Sequence, residues 1–573
     1  MYDDESNILK NYNLIKKNKH QVILYKTVTL KLNSLKNRIN WDSIFPYLLT
    51  ILFLVFSIVL IMRHEFWRDE VKPWLTGSES QNITEFISNM RDSQGHPFLW
   101  SFLLYLISHF IVNNIETMKI VSILFNSITV FLILKFSPFN KIIKTGLVFS
   151  YFIFFEYTII SRNYSIGVLS IILFCVLFKN WEKNLITLAL SLFLMMQGSL
   201  FSFMISISLF LYILFIFIIE REKLKKIKKI FILIFVSIFI LGVIFEYWQL
   251  GSQSISFNAF SPTINDMFGK TSTEYLNSVY TVADATIKAF LPIPVFNINF
   301  WNTNLIINYI NGQISFLRIV IAFILVLVPF FILKGRVLFL YSLGFILISS
   351  IPFLLYKGYT RHYGHYFILF IACLWISYDY NKNNAEVLII TKKRNIIFPK
   401  VYISFLLIIS IISTVTAFYY EFKYQFSAGK SASEYLSEKY DLEKIRIIGY
   451  QDYAAEVLAG YLDKNIYYPQ AENSKKYKKL VSWNNRDWDP FSIDRVIQES
   501  FQFVGEKKII LAVSDPNEEY DKILRENFFI EIYNSNNNSI VKDENFALYS
   551  FNAKFLNIYE INSNNFKNFI NNQ

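Results

Sequence analysis

The run His64-Glu65-Phe66-Trp67-Arg68-Asp69-Glu70-Val71-Lys72-Pro73-Trp74 is the densest set of ionisable side chains beside an apolar segment in the chain. Asp69 and Glu70, flanked by Arg68 and Lys72, suit proton abstraction or cation binding, because partial desolvation and a like-charged neighbour raise a carboxylate's pKa toward a useful range. A solvated loop in which tryptophans mark an interface and acids pair with arginines fits the same spacing. Two further clusters carry cations between apolar runs. One is Ser161-Arg162-Asn163-Tyr164, and the other is Lys357-Gly358-Tyr359-Thr360-Arg361-His362-Tyr363-Gly364-His365. A guanidinium fork supported by histidine is the donor set that a lipid phosphate or pyrophosphate requires, whereas a snorkelling side chain at a helix end is the alternative.

Five of the six histidines, His64, His96, His109, His362 and His365, lie in or beside these segments. His109 sits within an apolar stretch and is expected to pack rather than ligate. The others, with Asp69 or Glu70, leave a divalent cation open as a cofactor, but no HExxH or comparable spacing exists, and no metal site is assigned.

The elements that must position these residues are apolar. Of 573 residues, 53% are hydrophobic and 17% charged, against roughly 25% charged in a soluble domain, which excludes an ordinary soluble protein. Cys175 and Cys373 both lie in apolar runs, so there is no disulfide framework. The net charge of +12 is spread over short loops instead of one accessible face, a pattern of membrane topology and not of nucleic-acid binding.

Runs able to cross about 30 Å of hydrocarbon lie at 44–62, 118–135, 147–160, 164–178, 185–197, 199–220, 230–247, 316–334, 337–356, 363–380 and 401–419, which predicts about 11 spans. The stretch 97–112 is shorter and begins Gly95-His96-Pro97. Reading it as a juxtamembrane helix on the outer side keeps the N-terminal tail, 135–144, 221–229 and 392–394 inside, as the concentration of lysine and arginine in cytoplasmic loops requires. No cleavable signal peptide is expected at the polar N-terminus, so the first run should remain as an anchor.

The expected architecture is therefore a multi-span α-helical membrane protein with a C-terminal extracytoplasmic α/β domain. A basic cytoplasmic tail covers 1–43, a transmembrane domain with outer loops 63–117 and 248–315 covers 44–420, and a soluble domain covers 421–573. In the last, helix-like 431–439, 452–462 and 493–503 alternate with strand-like 445–448, 466–468 and 509–513, the pattern of a small parallel sheet flanked by helices. Gly449 after a strand is too weak a signal for a nucleotide site, and Asn536–Asn538 reads as loop or fraying terminus.

In their order along the chain, Trp67-Arg68-Asp69-Glu70-Val71-Lys72-Pro73-Trp74 after the first span, Gly95-His96-Pro97-Phe98-Leu99-Trp100, Ser161-Arg162-Asn163-Tyr164 and Arg361-His362-Tyr363-Gly364 resemble the GT-C superfamily of integral-membrane glycosyltransferases. The likeness is greatest to the bacterial branch related to the protein O-mannosyltransferase and aminoarabinose transferase families, of glycosyltransferase family 39 type, and spans about residues 40 to 420. It implies transfer of a sugar from a polyprenyl-phosphate carrier to an extracytoplasmic glycan, lipid or protein acceptor at a bacterial plasma membrane. It also implies a catalytic role for Asp69, supported by Glu70. Arg162 and Arg361 would contact the phosphate, His362, His96 or Lys72 would orient, and Arg68 and Tyr164 would line the substrate site. The family often places an acid a few residues after the arginine matching Arg162. Here the sequence continues Asn163-Tyr164-Ser165-Ile166-Gly167, which leaves a second carboxylate unassigned.

A transporter or flippase of polyprenyl-linked envelope precursors is the main alternative. It predicts ionisable residues near the middle of spans, and Glu156 and Arg318, the nearest examples, sit close to span ends.

Overall fold

The computed structural model describes residues 41–93, 95–225, 227–250, 271–310, 314–333, 335–383, 397–471, 477–480, 492–503 and 507–551. The basic tail, part of the 248–315 loop, the 392–394 cations and the asparagine-rich end lie outside the described residues. The chain divides into two units, Met1–Leu52 and Phe53–Gln573. Among its described residues the first contributes only the beginning of the helix Trp41–Ile61.

Among the described residues, seven helices are long and apolar enough to cross a membrane: Trp41–Ile61, Thr117–Phe136, Lys141–Ile159, Leu200–Ile219, Lys229–Leu250, Arg336–Leu355 and Phe398–Lys423. Four of the expected spans differ. Tyr164–Phe178, Leu185–Met196 and Phe316–Ile332 have 15, 12 and 17 residues. At 1.5 Å per residue even the longest falls short of about 30 Å. The fourth, Thr360–Asn383, has the length but begins with Arg361, His362 and His365. The stretch beginning at Pro97 forms the short helix Leu99–Phe110.

The helical body is apolar outward and polar inward. Through the body of Thr117–Phe136, ahead of the exposed Lys135 and Phe136 at its end, the exposed positions are Ile120, Leu124 and Ile128, while Ser122, Asn126 and Thr129 are buried. Water would reverse this arrangement, and hydrocarbon favours it. The buried polar groups brace an unusual neighbour. After the α-helix Lys141–Val148 the chain winds as a π-helix, Phe152–Ile159, whose Tyr157 and Thr158 carbonyls accept from Asn126 Nδ2 (2.5 Å) and Ser122 Oγ (2.8 Å). Wide turns of this kind cluster at functional sites, and this one leads into Ser161-Arg162.

The C-terminal sheet has strands β1 Ile445–Tyr450, β2 Ile466–Tyr467, β3 Tyr477–Lys478, β4 Lys508–Ser514, β5 Phe529–Asn534 and β6 Phe546–Phe551, in the order β3-β2-β1-β4-β6-β5. The expected parallel sheet is present only in part: β1 pairs parallel with β2 and β4, whereas β3 runs antiparallel to β2, and β6 runs antiparallel to both β4 and β5. The reversal from β5 into β6 carries Asn536 and Asn537, both in the left-handed region (φ 54° and 55°). Asparagine tolerates that region, so the polar run is a turn that folds β6 back beside β4, with no frayed end there.

This domain sits directly on the segment that follows the first long helix. The helix Asp452–Leu462 packs against Arg68–Ser78, and Val457 joins a core with Phe66, Val71, Trp74, Trp100 and Leu104. The approach is so close that a Cβ on Gly460 would lie 2.5 Å from Val71 Cγ1. Ion pairs rim the contact, among them Lys72–Glu456 (3.4 Å) and Lys479–Glu79 (2.8 Å).

Candidate functional site

Trp67, in extended backbone, precedes the helix Arg68–Ser78, which puts Asp69 and Glu70 in the first turn, where the helix dipole favours negative charge. The two carboxylates face different surroundings. Glu70 is wholly buried. It accepts from the Ser161 backbone N–H at 2.5 Å and the Trp67 N–H at 3.3 Å, and meets His64 Nε2 at 2.8 Å. His64 Nδ1 in turn lies 2.7 Å from Glu421 Oε1 on the last long helix. Burial alone would lower the His64 pKa, but the Glu70 and Glu421 carboxylates outweigh it and raise it to about 10. His64 is thus an imidazolium clamped between two carboxylates, and Glu70 is the joint between the site helix and the Ser161-Arg162 segment.

Asp69 keeps a side chain that is 30% exposed. Its Oδ2 accepts from Arg361 Nη2 at 2.8 Å, and Arg68 Nε stands 3.9 Å from Oδ1. Enclosure would raise its carboxyl, but Arg361 first, then Arg162 and Arg68, hold it below the usual range. Asp69 is therefore ionised throughout the physiological range.

Arg361 opens the helix Thr360–Asn383 and lies among three rings, its Cζ 4.7 Å from the Tyr359 ring centre, 5.1 Å from Trp67 and 5.7 Å from Trp301. Arg162 Nη2 donates to His96 Nε2 at 2.8 Å. Burial, then the Arg162 charge, pushes His96 down to about 3, so His96 is a neutral acceptor here. His362 Nδ1 accepts from the Tyr359 backbone N–H (2.8 Å), which leaves Nε2–H to donate to the Tyr164 hydroxyl (2.8 Å). Asp69, Arg68, Arg162, His96, Tyr164, Arg361 and His362 thus converge. Lys72 points instead to Glu456 of the C-terminal domain, and Glu70 faces the buried clamp.

Several buried donors around Asp69 have no hydrogen-bonding partner within the protein: Arg361 Nε and Nη1, Arg162 Nε, Trp67 Nε1, Ser161 Oγ and Thr360 Oγ1. Buried donors left unpaired are costly, at about 1–3 kcal/mol each. A group with several acceptor oxygens relieves many at once. Among the described residues no three histidine, cysteine, aspartate or glutamate side chains are grouped as metal ligands.

The sequence reading assigned no role to four of these participants. Glu421 lies 357 residues from His64 and carries no local signal. Trp301, within the 248–315 segment, donates Nε1–H to Glu156 Oε1 (3.1 Å), which also accepts from the Tyr151 hydroxyl (2.6 Å). Asp543 and Glu544 of the C-terminal domain hold Arg68: Asp543 as an ion pair with its guanidinium, and Glu544 Oε1 as acceptor of its backbone N–H at 2.9 Å.

No protein-family model matches the chain, and no curated protein matches it significantly. The functional reading therefore rests on the site itself.

Proposed function

We propose that the protein is an integral-membrane glycosyltransferase that moves a sugar from a polyprenyl-phosphate carrier to an acceptor on the outer face of a bacterial plasma membrane. The observation that carries this reading is an ionised carboxylate, Asp69, set against two buried arginines that keep unpaired N–H groups. Group transfer from a lipid phosphate needs both a proton acceptor and a cradle for the departing phosphate.

In this reading the acceptor hydroxyl attacks the anomeric carbon and gives its proton to Asp69. The bond from that carbon to the phosphate oxygen breaks, and the electron pair stays with the phosphate, where Arg361 and Arg162 stabilise it. A single displacement inverts the anomeric centre. Glu70 and His64 position the site helix, His96 and the His362–Tyr164 pair set the arginine and hydroxyl geometry, and Lys72 acts through the C-terminal domain.

The topology that goes with this has eleven crossings, a cytoplasmic N-terminus, and outer loops 63–117 and 248–315 on the side of the C-terminal domain. The short helices Tyr164–Phe178, Leu185–Met196 and Phe316–Ile332 cross where their neighbours thin the hydrocarbon they must span. The flippase alternative draws on Glu246, buried in Lys229–Leu250. That residue sits in the last turn of its helix, near a surface and away from mid-membrane.

The test compares wild type with Asp69→Asn in detergent, measuring release and transfer of sugar from a panel of radiolabelled polyprenyl-phosphate sugars. Turnover should fall about 100-fold or more with the melting temperature retained. Turnover equal to wild type would remove Asp69 from the chemistry, and a wild type inert toward the whole panel would favour the flippase.

A further inference from the structure

The central strands of the C-terminal sheet run parallel and reverse their direction of winding between β1 and β4. From β1 the chain passes through the helix Asp452–Leu462 to β2 on one side, while β4 lies on the other. In open α/β sheets ligands bind outside the carboxyl ends of the strands at such a reversal. Here that end is marked by two non-glycine residues in the left-handed region, Gln451 after β1 (φ 58°) and Asp515 after β4 (φ 45°). The 542–545 turn joins it, because Asp515 N–H donates to the Asn545 carbonyl at 2.9 Å.

This edge of the sheet faces the membrane site. Arg68 touches it at three points: its Cζ lies 4.8 Å from the Tyr453 ring centre, its guanidinium pairs with Asp543, and its backbone N–H donates to Glu544 at 2.9 Å. The same guanidinium lies 3.9 Å from Asp69. One side chain therefore connects the proton acceptor with the ligand-binding edge of a second domain.

We propose that the acceptor is a glycan, bound between Asp69 and this edge, with Tyr453 and Asp543 as specificity-determining residues; this rests on the glycosyltransferase reading above. The groups present are the Tyr453 ring and hydroxyl, the Gln451 amide, the Ser514 hydroxyl and the Asp543 carboxylate. Gln451 Oε1 already accepts from Tyr453 (2.5 Å) and Ser514 (3.0 Å), so the set is held in fixed geometry. Asp543 remains 38% exposed. A carboxylate accepts from a sugar hydroxyl and an amide NH2 donates to one, and an aromatic face packs on the C–H face of a pyranose. Arg68, the cation of this set, is already engaged by Asp543 and Asp69, which disfavours an anionic acceptor.

The test exposes the full-length protein in detergent to two printed arrays, one of neutral oligosaccharides and one of hydroxyl-bearing peptides, using wild type, Tyr453→Ala, Tyr453→Phe and Asp543→Asn. Oligosaccharides should bind the wild type. Tyr453→Ala and Asp543→Asn should weaken binding about tenfold or more, the loss expected for a charged hydrogen bond or a packed ring, and Tyr453→Phe should recover most of it. Domain docking, followed by limited proteolysis, should be retained in Tyr453→Phe. Binding of peptides alone, or oligosaccharide binding indifferent to both substitutions, would overturn the proposal. Oligosaccharide binding without transfer from any donor would instead count against the glycosyltransferase reading and leave this subsite standing.

Discussion

Replacing His64 by alanine removes the cation between two wholly buried carboxylates, Glu70 and Glu421, at 2.8 and 2.7 Å. An imidazole moved from 6.5 to about 10 corresponds to about 5 kcal/mol of differential stabilisation at 1.36 kcal/mol per pKa unit. Breaking a buried charge pair typically costs about 3–5 kcal/mol, so a loss of about 4 kcal/mol is expected. The sign with pH follows from the direction of the shift. A raised imidazole pKa gives stability that is complete below about 6.5 and is lost as pH rises through about 10. In His64→Ala the carboxylates can be relieved only by taking up protons, so the deficit should be largest near neutral pH, shrink toward acid, and shrink again as pH rises toward about 10, where the wild-type imidazolium loses its proton. The assay is thermal unfolding in detergent, followed by tryptophan fluorescence across pH, for wild type, His64→Ala and His64→Ala/Glu421→Gln. The double variant should recover much of the loss. A deficit under about 1 kcal/mol, or one that does not change with pH, would refute the charged clamp.

Gly460→Leu forces a side chain into Val71, and at about 1–3 kcal/mol for such overpacking it should release the C-terminal domain to proteolysis while the helical body stays resistant. Burial, opposed by the Arg68 charge, raises Glu544 to about 8. Its stabilising contribution to docking is therefore complete below the ordinary glutamate range and fades as pH rises through about 8; proteolytic release should rise with pH in wild type and be flatter in Glu544→Gln. Arg361→Met removes the nearest cation from Asp69 and, on the proposed function, a donor from the phosphate cradle. Donor turnover should fall about 100- to 1000-fold, and the acid limb of the residual pH–rate profile should move upward, because the charge that lowers the Asp69 pKa most is gone. An unmoved limb would separate Asp69 from the reaction.

Hydropathy made the helical body legible, because lipid-facing positions such as Ile120 and Leu124 need only be apolar. Length did not translate as simply. The run 185–197 reads as a span, and its helix follows the run closely but has only 12 residues, ending ahead of Gln197-Gly198-Ser199, where Gly198 packs against Gly167 too tightly for any Cβ. The cluster around Asp69 was legible since its members are adjacent in sequence or lie in short, polar interruptions of apolar runs. What adjacency could not show is that Glu70 turns inward, since its partners Ser161 and His64 are fixed only by tertiary packing. Glu156 sits on a π-helix whose winding no propensity marks, and Trp301 reaches it from a loop 145 residues away. In the C-terminal domain β1 and β4 are apolar runs of ordinary strand length, whereas β5 and β6 are separated by asparagines whose φ angles, not their composition, decide between turn and frayed end.

Arg68 and Asp543 are separated by 475 positions. A ribosome that has just delivered the Trp67-Arg68-Asp69 segment still has most of the polypeptide left to make before the residues that embrace it exist. At about 5–20 residues per second, that interval is on the order of half a minute to a minute and a half. During it Arg361, the partner of Asp69, then Glu421, the partner of His64, then Asp543, the partner of Arg68, are still to come, in that order. The half-made protein thus holds its first polar cluster without the residues that fix its geometry, and the arrangement is completed only late in synthesis.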